Sequence, residues 1–259
     1  MNLSALPFVN WIFWAALSAG TLLVVGVTEL LGGTTRGYRL FMAWLLVAFA
    51  ATLVASDLAL PLGVEAAATA DLRRPLALAF AGGCVGYLVA SLAGWPRSWL
   101  AIGTGIVGLG ALVVLAAAGG SRSAPLFAGQ LVLAALALGA VNAAMLLGHW
   151  YLVTPKLSPT PLRRMMWLLI ACLALQALAF AVALIGVGTD ALAGGLGWLT
   201  WLRLGVGILL PILVTVLAIL ASRSASLQAS TGLLYIGVAL IMAGSIAGAS
   251  ITYLTGVPV

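Results

Sequence analysis

The side chains of this chain that could do chemistry centre on its only histidine. His149 lies at the end of a long apolar run and is followed directly by Trp150 and Tyr151. An imidazole exchanges protons near neutral pH, and aromatic rings stack on flat ligands. The three residues therefore favour a quinone pocket, in which His149 bonds a ring carbonyl and exchanges its proton while Trp150 and Tyr151 flank the ring. The alternative is an aromatic belt at headgroup depth, with His149 beside it and no ligand.

Glu29 and Asn142 are further candidates for this site. Glu29 stands near the end of the first apolar run, at nearly the depth of His149 in the fifth, so the two could relay a proton to one ligand. Ionisable groups within membrane spans are rare and usually face a cavity or the bundle interior. Asn142 precedes His149 by two helical turns and lies on roughly the same helix face. The alternatives are that Glu29 reaches out to water and that Asn142 only joins two helices.

Polar and helix-breaking residues toward the other membrane face complete the set. Asp57 is expected near that surface, because Pro61 ends its helix soon afterwards. Arg203 lies just inside the seventh apolar run and is expected to anchor it, paired with Asp57 or Asp190. Pro211, in the middle of the same run, should kink the helix.

Cysteine and histidine usage argues against a metal centre held by this chain. Cys84 and Cys172 both fall inside apolar runs, and the sequence has no Cys-x-x-Cys pair and no Cys/His cluster. A transmembrane b-type haem uses two histidines, whereas this chain has one; a His–Met pair is an alternative that the spacing does not select. We therefore expect no metal and no haem, and quinone as the bound cofactor.

The composition requires a membrane around the protein. Hydrophobic residues make up 64% of the chain and charged residues 6%, against about 45–50% and about 25% in soluble domains. The lipid bilayer is thus the first partner that the sequence predicts. The net charge of +6 is scattered through short connections, so it indicates orientation in the membrane and not a nucleic-acid partner.

Eight apolar segments must position these side chains. Each is long enough to cross a bilayer as a helix whose backbone bonds are satisfied internally. They predict an all-α, polytopic integral membrane protein with a single transmembrane domain over residues 1–259. The first segment has no basic region or cleavage site before it and is expected to be retained as a span. The segments run approximately over 8–31, 38–62, 75–94, 98–118, 125–153, 162–187, 198–221 and 227–255.

A sequence repeat predicts two four-helix halves. Residues 42–48 read MAWLLVA at the start of the second segment, and residues 165–171 read MMWLLIA at the start of the sixth. Each follows a connection that carries basic residues and comes directly after a long apolar segment. The corresponding division is 1–122 and 123–259, with both halves in the same orientation, as in transporters built from parallel repeats. The alternative is chance similarity between two Ala/Leu-rich helices.

The basic residues predict how the chain is oriented in a bacterial inner membrane. Connections after the odd-numbered segments carry more of them and are expected to be cytoplasmic, which places both termini on the outer side. On the opposite side are Arg73, Arg74 and Arg122, with Arg203 just inside a span. The cytoplasmic set is Arg36, Arg39, Arg97, Lys156, Arg163, Arg164 and Arg223.

Two short segments resemble those of a group of multi-span bacterial membrane proteins, a resemblance that implies no activity. They are Gly148-His149-Trp150-Tyr151-Leu152 with Pro155, and Thr231-Gly232-Leu233-Leu234-Tyr235. The architecture of eight spans in two halves also resembles the NrfD-like membrane subunits of polysulfide-reductase-type enzymes, although the chain has no diagnostic NrfD motif. That resemblance implies quinone bound between helices, no haem and a docked iron–sulfur partner, with His149 and Glu29 at the quinone.

Three functions follow as hypotheses. The first is a membrane subunit of a respiratory or related redox complex, with a quinone pocket at the cytoplasmic end and electrons supplied by an iron–sulfur or other redox partner. The second is a small transporter or permease for a hydrophobic or neutral substrate, with Asn142, Glu29 and Asp57 as polar contacts. The third is a structural or assembly subunit without a ligand. The sequence leaves open whether the chain is an enzyme.

Overall fold

The computed structural model describes residues 6–60, 64–118, 124–154, 157–187, 194–224 and 226–255. This part of the chain contains eight helices that are long and apolar enough to cross a membrane, which confirms the predicted all-α, polytopic fold. The helices are α1 Leu6–Leu30, α2 Arg36–Leu58, α3 Val64–Ala93, α4 Ser98–Ala118, α5 Ala124–Val153, α6 Thr160–Val187, α7 Gly197–Arg223 and α8 Leu227–Thr255. Pro61, Arg122, Pro155, Lys156 and Asp190, which figured in the predictions, lie outside the described residues.

Helices α1 and α5 form the centre of the bundle. About 72% and 67% of their most apolar windows are buried, against 33–44% for the other six spans, whose outer faces are left for lipid. The two central helices cross where Gly20 meets Gly139. A Cβ atom on Gly139 would overlap the backbone of Gly20, so this crossing depends on the absence of a side chain at that point.

The remaining helices surround this pair as two rings of the same order. In the first ring α1 contacts α2 and α4, and α3 contacts α2 and α4; in the second, α5, α6, α7 and α8 repeat those contacts. Repeat-related positions also share their environment. Met42 and Met165 are both buried, whereas Trp44 and Trp167 are 56% and 52% exposed on the outside. The arrangement is the one expected of two parallel repeats, while the duplication itself stays a prediction from the sequence.

Two helices have features that the sequence did not predict. Helix α3 begins at Val64 and continues through Pro75, whereas the prediction began the segment at that proline. Arg73 and Arg74 therefore belong to a helix and were wrongly assigned to a connection. In α7 the backbone widens into a π-helical segment over Leu202–Leu209, immediately before Pro211. The amide of Leu210 bonds to the carbonyl of Gly205, five residues earlier, so the helix accommodates the proline with a π segment.

The antiparallel connections place the chemistry-bearing residues at two ends of the bundle. Helices α1, α3, α5 and α7 finish at one end, where α2, α4, α6 and α8 begin. We call this the His149 end, and the opposite one the Arg203 end.

Candidate functional site

His149 forms a surface pair with Tyr235 at the His149 end. Helices α5 and α8 approach closely there, because Gly148 faces Thr231: a Cβ atom on Gly148 would lie 2.6 Å from the Thr231 hydroxyl oxygen. The hydroxyl oxygen of Tyr235 is 3.2 Å from Nδ1 of His149, and the two rings meet edge to face. Both side chains are exposed on the bundle. The two segments that carry the sequence resemblance thus meet at this site.

The pair can donate and accept hydrogen bonds on the outside of the bundle. With Nδ1 engaged by Tyr235, the other ring nitrogen, Nε2, has no hydrogen-bond partner among the residues that the structure describes. In one tautomer the tyrosine donates to Nδ1 and Nε2 carries a proton; in the other Nδ1 donates and Nε2 accepts. The tyrosine therefore orients an imidazole whose free edge can bond a ligand oxygen in either direction.

Trp150 and Tyr151 do not face the same space as His149. Successive residues of an α-helix point about 100° apart, and the three side chains follow that rule. Trp150 packs against Gly37 of α2, and its buried indole N–H has no partner in the described part of the chain. Tyr151 is buried, and its hydroxyl donates a 2.8 Å hydrogen bond to the carbonyl of Ser158. The two rings expected to flank a ligand instead fix the end of α5 to its neighbours.

Asn142 joins the two central helices. Its amide nitrogen donates a 3.2 Å hydrogen bond to the hydroxyl of Thr21 on α1, and both side chains are buried. The residue shares a helix face with His149, but at its depth that face is covered by α1. Its position corresponds to the alternative reading from the sequence, in which an amide joins helices within the membrane.

Glu29 lies inside the first ring of helices and connects three parts of it. The Tyr87 hydroxyl donates to Oε1 over 2.8 Å, and the Nε atoms of Arg97 and Arg39 lie 3.4 and 3.5 Å from the same oxygen. The Glu29 side chain is only 4% exposed. The carboxylate therefore neither reaches water nor faces the interface between the halves, because the two guanidinium groups and Tyr87 hold it on the other side of α1.

These contacts predict that replacing Glu29 lowers the stability of the protein and leaves ligand binding unchanged. Replacing Glu29 with glutamine keeps an acceptor for Tyr87 but removes the charge that compensates Arg39 and Arg97. Both arginines are partly exposed, so we expect a loss of about 1–3 kcal/mol, between the limits for surface and buried pairs. Denaturant titration of the purified variant measures it. An unchanged midpoint would contradict the role assigned here.

Asp57 forms a second charged cluster, at the Arg203 end, that sequence reasoning missed. Its two carboxylate oxygens accept hydrogen bonds from Nε of Arg73 at 2.8 Å and Nε of Arg74 at 3.0 Å. The Arg73 side chain is 1% exposed and lies over the ring of Trp11. The expected pairing of Asp57 with Arg203 is wrong, because the arginines of the adjoining helix are closer. The sequence signal for this cluster was a carboxylate on one helix of a hairpin and two arginines on the next.

Arg203 is buried at the same end of the bundle, in the second ring. It is 4% exposed, and its NH2 group donates a 2.7 Å hydrogen bond to the side-chain oxygen of Gln176 on α6. The four ion pairs of the described residues involve Glu29 and Asp57 and do not include this arginine. It is a buried residue in the second ring and not the surface anchor that the sequence suggested.

Groups of three or more His, Cys, Asp and Glu side chains that could hold a metal ion do not occur within the described ranges. Cys84 and Cys172 are buried as free thiols.

Comparison of this chain with protein-family models, curated proteins and solved structures found no match.

Proposed function

We propose that the protein is a membrane subunit of a redox complex that binds quinone at the His149–Tyr235 pair. The observation that carries this proposal is the exposed imidazole, oriented by a tyrosine hydroxyl 3.2 Å away, at the end of a central helix. A polar pair on the surface of a membrane bundle is reached most readily by a ligand that dissolves in the bilayer. A quinone has a lipid-soluble tail and a head with two hydrogen-bonding oxygens.

The pair supplies the proton chemistry that a quinone head requires. When a hydroquinone is oxidised, it loses two electrons and two protons and becomes the quinone. His149 accepts one hydroxyl proton at Nε2 and passes it to water at the membrane surface, while Tyr235 holds the ring at Nδ1. The second proton passes from the other hydroxyl group to water. The electrons pass to a partner subunit of the iron–sulfur or another electron-carrying class. Quinone reduction runs the same steps in reverse.

The proposed orientation gives this proton a short path. The His149 end is the one expected to be cytoplasmic, from the basic residues in its connections. Arg73 and Arg74 lie within helix α3, so the opposite connections carry fewer basic residues than the sequence count assumed. His149 lies near the last turn of α5, which ends at Val153, so it can exchange its proton at that surface.

Quinone extraction tests the proposal. Protein purified gently in detergent is extracted with solvent, and quinone is quantified by mass spectrometry alongside an absorption spectrum. We expect near-stoichiometric quinone in the native protein and at least a tenfold loss in His149→Ala. Tyr235→Phe should lose less, by a factor of about 3–10, because one neutral hydrogen bond contributes roughly 0.5–1.5 kcal/mol.

Glu29→Gln is the matched control for this experiment, because its carboxylate faces the first ring and should leave the quinone content unchanged. Quinone retained in full by His149→Ala, or absent from intact native protein, would overturn the proposal. Absence of both quinone and chromophore would favour the structural or assembly subunit.

The transporter hypothesis is supported less well by the contacts. Its expected polar residues, Asn142, Glu29 and Asp57, are all held by partners within the protein. A substrate would have to displace those partners before it could use them.

A further inference from the structure

Arg203 is a buried cation for which the described residues provide no carboxylate. Its NH2 group bonds to the neutral amide of Gln176, and its Nε atom is buried without a hydrogen-bond partner in the described part of the chain. A charged side chain within a membrane span is costly, and it usually marks a ligand or ion site. An unsatisfied donor on that charge adds to the cost.

The first ring shows how the protein compensates another buried arginine. In each ring the third helix places a buried arginine against the second helix: Arg73 of α3 meets Asp57 of α2, and Arg203 of α7 meets Gln176 of α6. The first contact pairs a guanidinium with a carboxylate, whereas the second pairs it with an amide. Among the described residues, a carboxylate therefore compensates the buried arginine of the first ring, whereas the buried arginine of the second ring has only an amide as its partner.

A cavity adjoins Arg203 at the interface between the two rings. It is lined by residues of α1, α5 and α8 together with this arginine. Its volume, measured as the space that the centre of a water molecule can reach, is about 30 Å³. That space holds about two water-sized groups, since one requires about 10–15 Å³. It is too small for a quinone head. Gln130, Ser245 and Thr252 contribute polar groups to walls that are otherwise mainly apolar.

The local backbone holds the guanidinium beside this cavity. Arg203 belongs to the π-helical segment Leu202–Leu209, and π segments occur frequently at functional sites. One turn further on, Gly207 lies against Gly244 so closely that a Cβ atom on Gly207 would come within 2.6 Å of the Gly244 Cα. The glycine contact draws α7 against α8, the helix that supplies Ser245 and Thr252.

We propose that this cavity is an anion site in which Arg203 binds a monoanionic group no larger than a carboxylate. The anion accepts hydrogen bonds from the guanidinium and occupies the place that Asp57 takes beside Arg73. It comes either from water, as chloride or a small carboxylate, or from the bilayer, as the head of a fatty acid. The site is separate from the His149–Tyr235 pair, and it does not depend on quinone binding.

Anion titration of thermal stability tests the site. The full-length protein is purified in gluconate, and its Tm is followed while chloride, acetate or decanoate (below its micelle concentration) replaces gluconate at constant ionic strength. We expect a saturable rise in Tm, because a ligand that binds only the folded state stabilises it by mass action. If chloride and acetate saturate the rise in Tm over the same concentration range, the natural ligand is a free anion. If decanoate saturates it at a far lower concentration, the ligand is the carboxylate of an acyl chain.

Four variants decide whether the response comes from this cavity. Arg203→Gln should abolish it, and Ser245→Leu, which fills the cavity and keeps the arginine, should abolish it too. Arg223→Gln, at the exposed end of the same helix, is the control and should respond as the native protein does. A response shared equally by all variants, or no saturable response in the native protein, overturns the proposal. A response that appears only in Asp190→Asn also overturns it, because the chain's own carboxylate would then fill the site.

Discussion

Replacing Asp57 with alanine should destabilise this protein more than any other single charge removal. The change removes the carboxylate oxygen that lies 2.8 Å from Nε of Arg73, a side chain that is 1% exposed. Removing one partner of a buried ion pair costs about 3–5 kcal/mol. Denaturation of the purified variant in mixed micelles, followed by tryptophan fluorescence, measures the loss.

The two arginines of the cluster supply the controls. Arg74 is 40% exposed, so its replacement with alanine should cost about 1 kcal/mol or less. Arg73→Ala should fall between the two, since Asp57 then keeps Arg74 as a partner. Equal losses for Asp57→Ala and Arg74→Ala would show that the burial of Arg73 does not set the energy of the cluster.

Gly139→Ala should force the two central helices apart. A Cβ atom at this position overlaps the carbonyl group of Gly20 and the amide of Thr21, and backbone atoms cannot move aside as the end of a side chain can. Overpacking a core costs about 1–3 kcal/mol, and we expect the upper end of that range or more. The shift in Tm and the yield of monodisperse protein measure the effect.

Gly129→Ala in the same helix is the matched control. No atom lies within 4 Å of the Cβ position of Gly129. Alanine favours helix over glycine by about 1 kcal/mol, so this variant should be neutral or slightly more stable. Similar losses in both variants would indicate that general effects on α5, and not the crossing with Gly20, control stability.

The architecture was accessible from sequence because the bilayer imposes one rule on every span. Backbone groups in lipid must be bonded within the segment, so a long apolar run becomes a helix whatever its neighbours do. Segment α3 was the exception at its start. Its first turns carry Arg73 and Arg74, and those charges read as a connection because their partner, Asp57, lies on another helix.

The candidate site was predicted only in part, for a physical reason that His149, Trp150 and Tyr151 illustrate. Adjacency along the chain does not bring helical side chains together, because each residue turns by about 100°. His149 therefore finds its partner 86 residues away, on α8. Glu29 lies at the same end of the bundle as His149, but the direction it faces depends on arginines of other parts of the first ring. The position of a residue along its segment determines how deep its side chain lies in the membrane. The neighbour that the side chain faces depends on how the helices pack in the folded bundle.

The contacts of the charged clusters also bear on how the chain enters a membrane. Asp57 and Arg73 are 16 residues apart, on the two arms of one hairpin, so they can pair as soon as α3 follows α2 into the bilayer. Glu29 and Arg97 are separated by 68 residues, and that pair must wait until three helices have been inserted. The later hairpin of α6 and α7 brings Arg203 in with only an amide as its described partner. The hairpin of α2 and α3 thus enters the membrane with its buried arginine already neutralised, whereas the hairpin of α6 and α7 enters with a buried arginine whose described partner is a neutral amide.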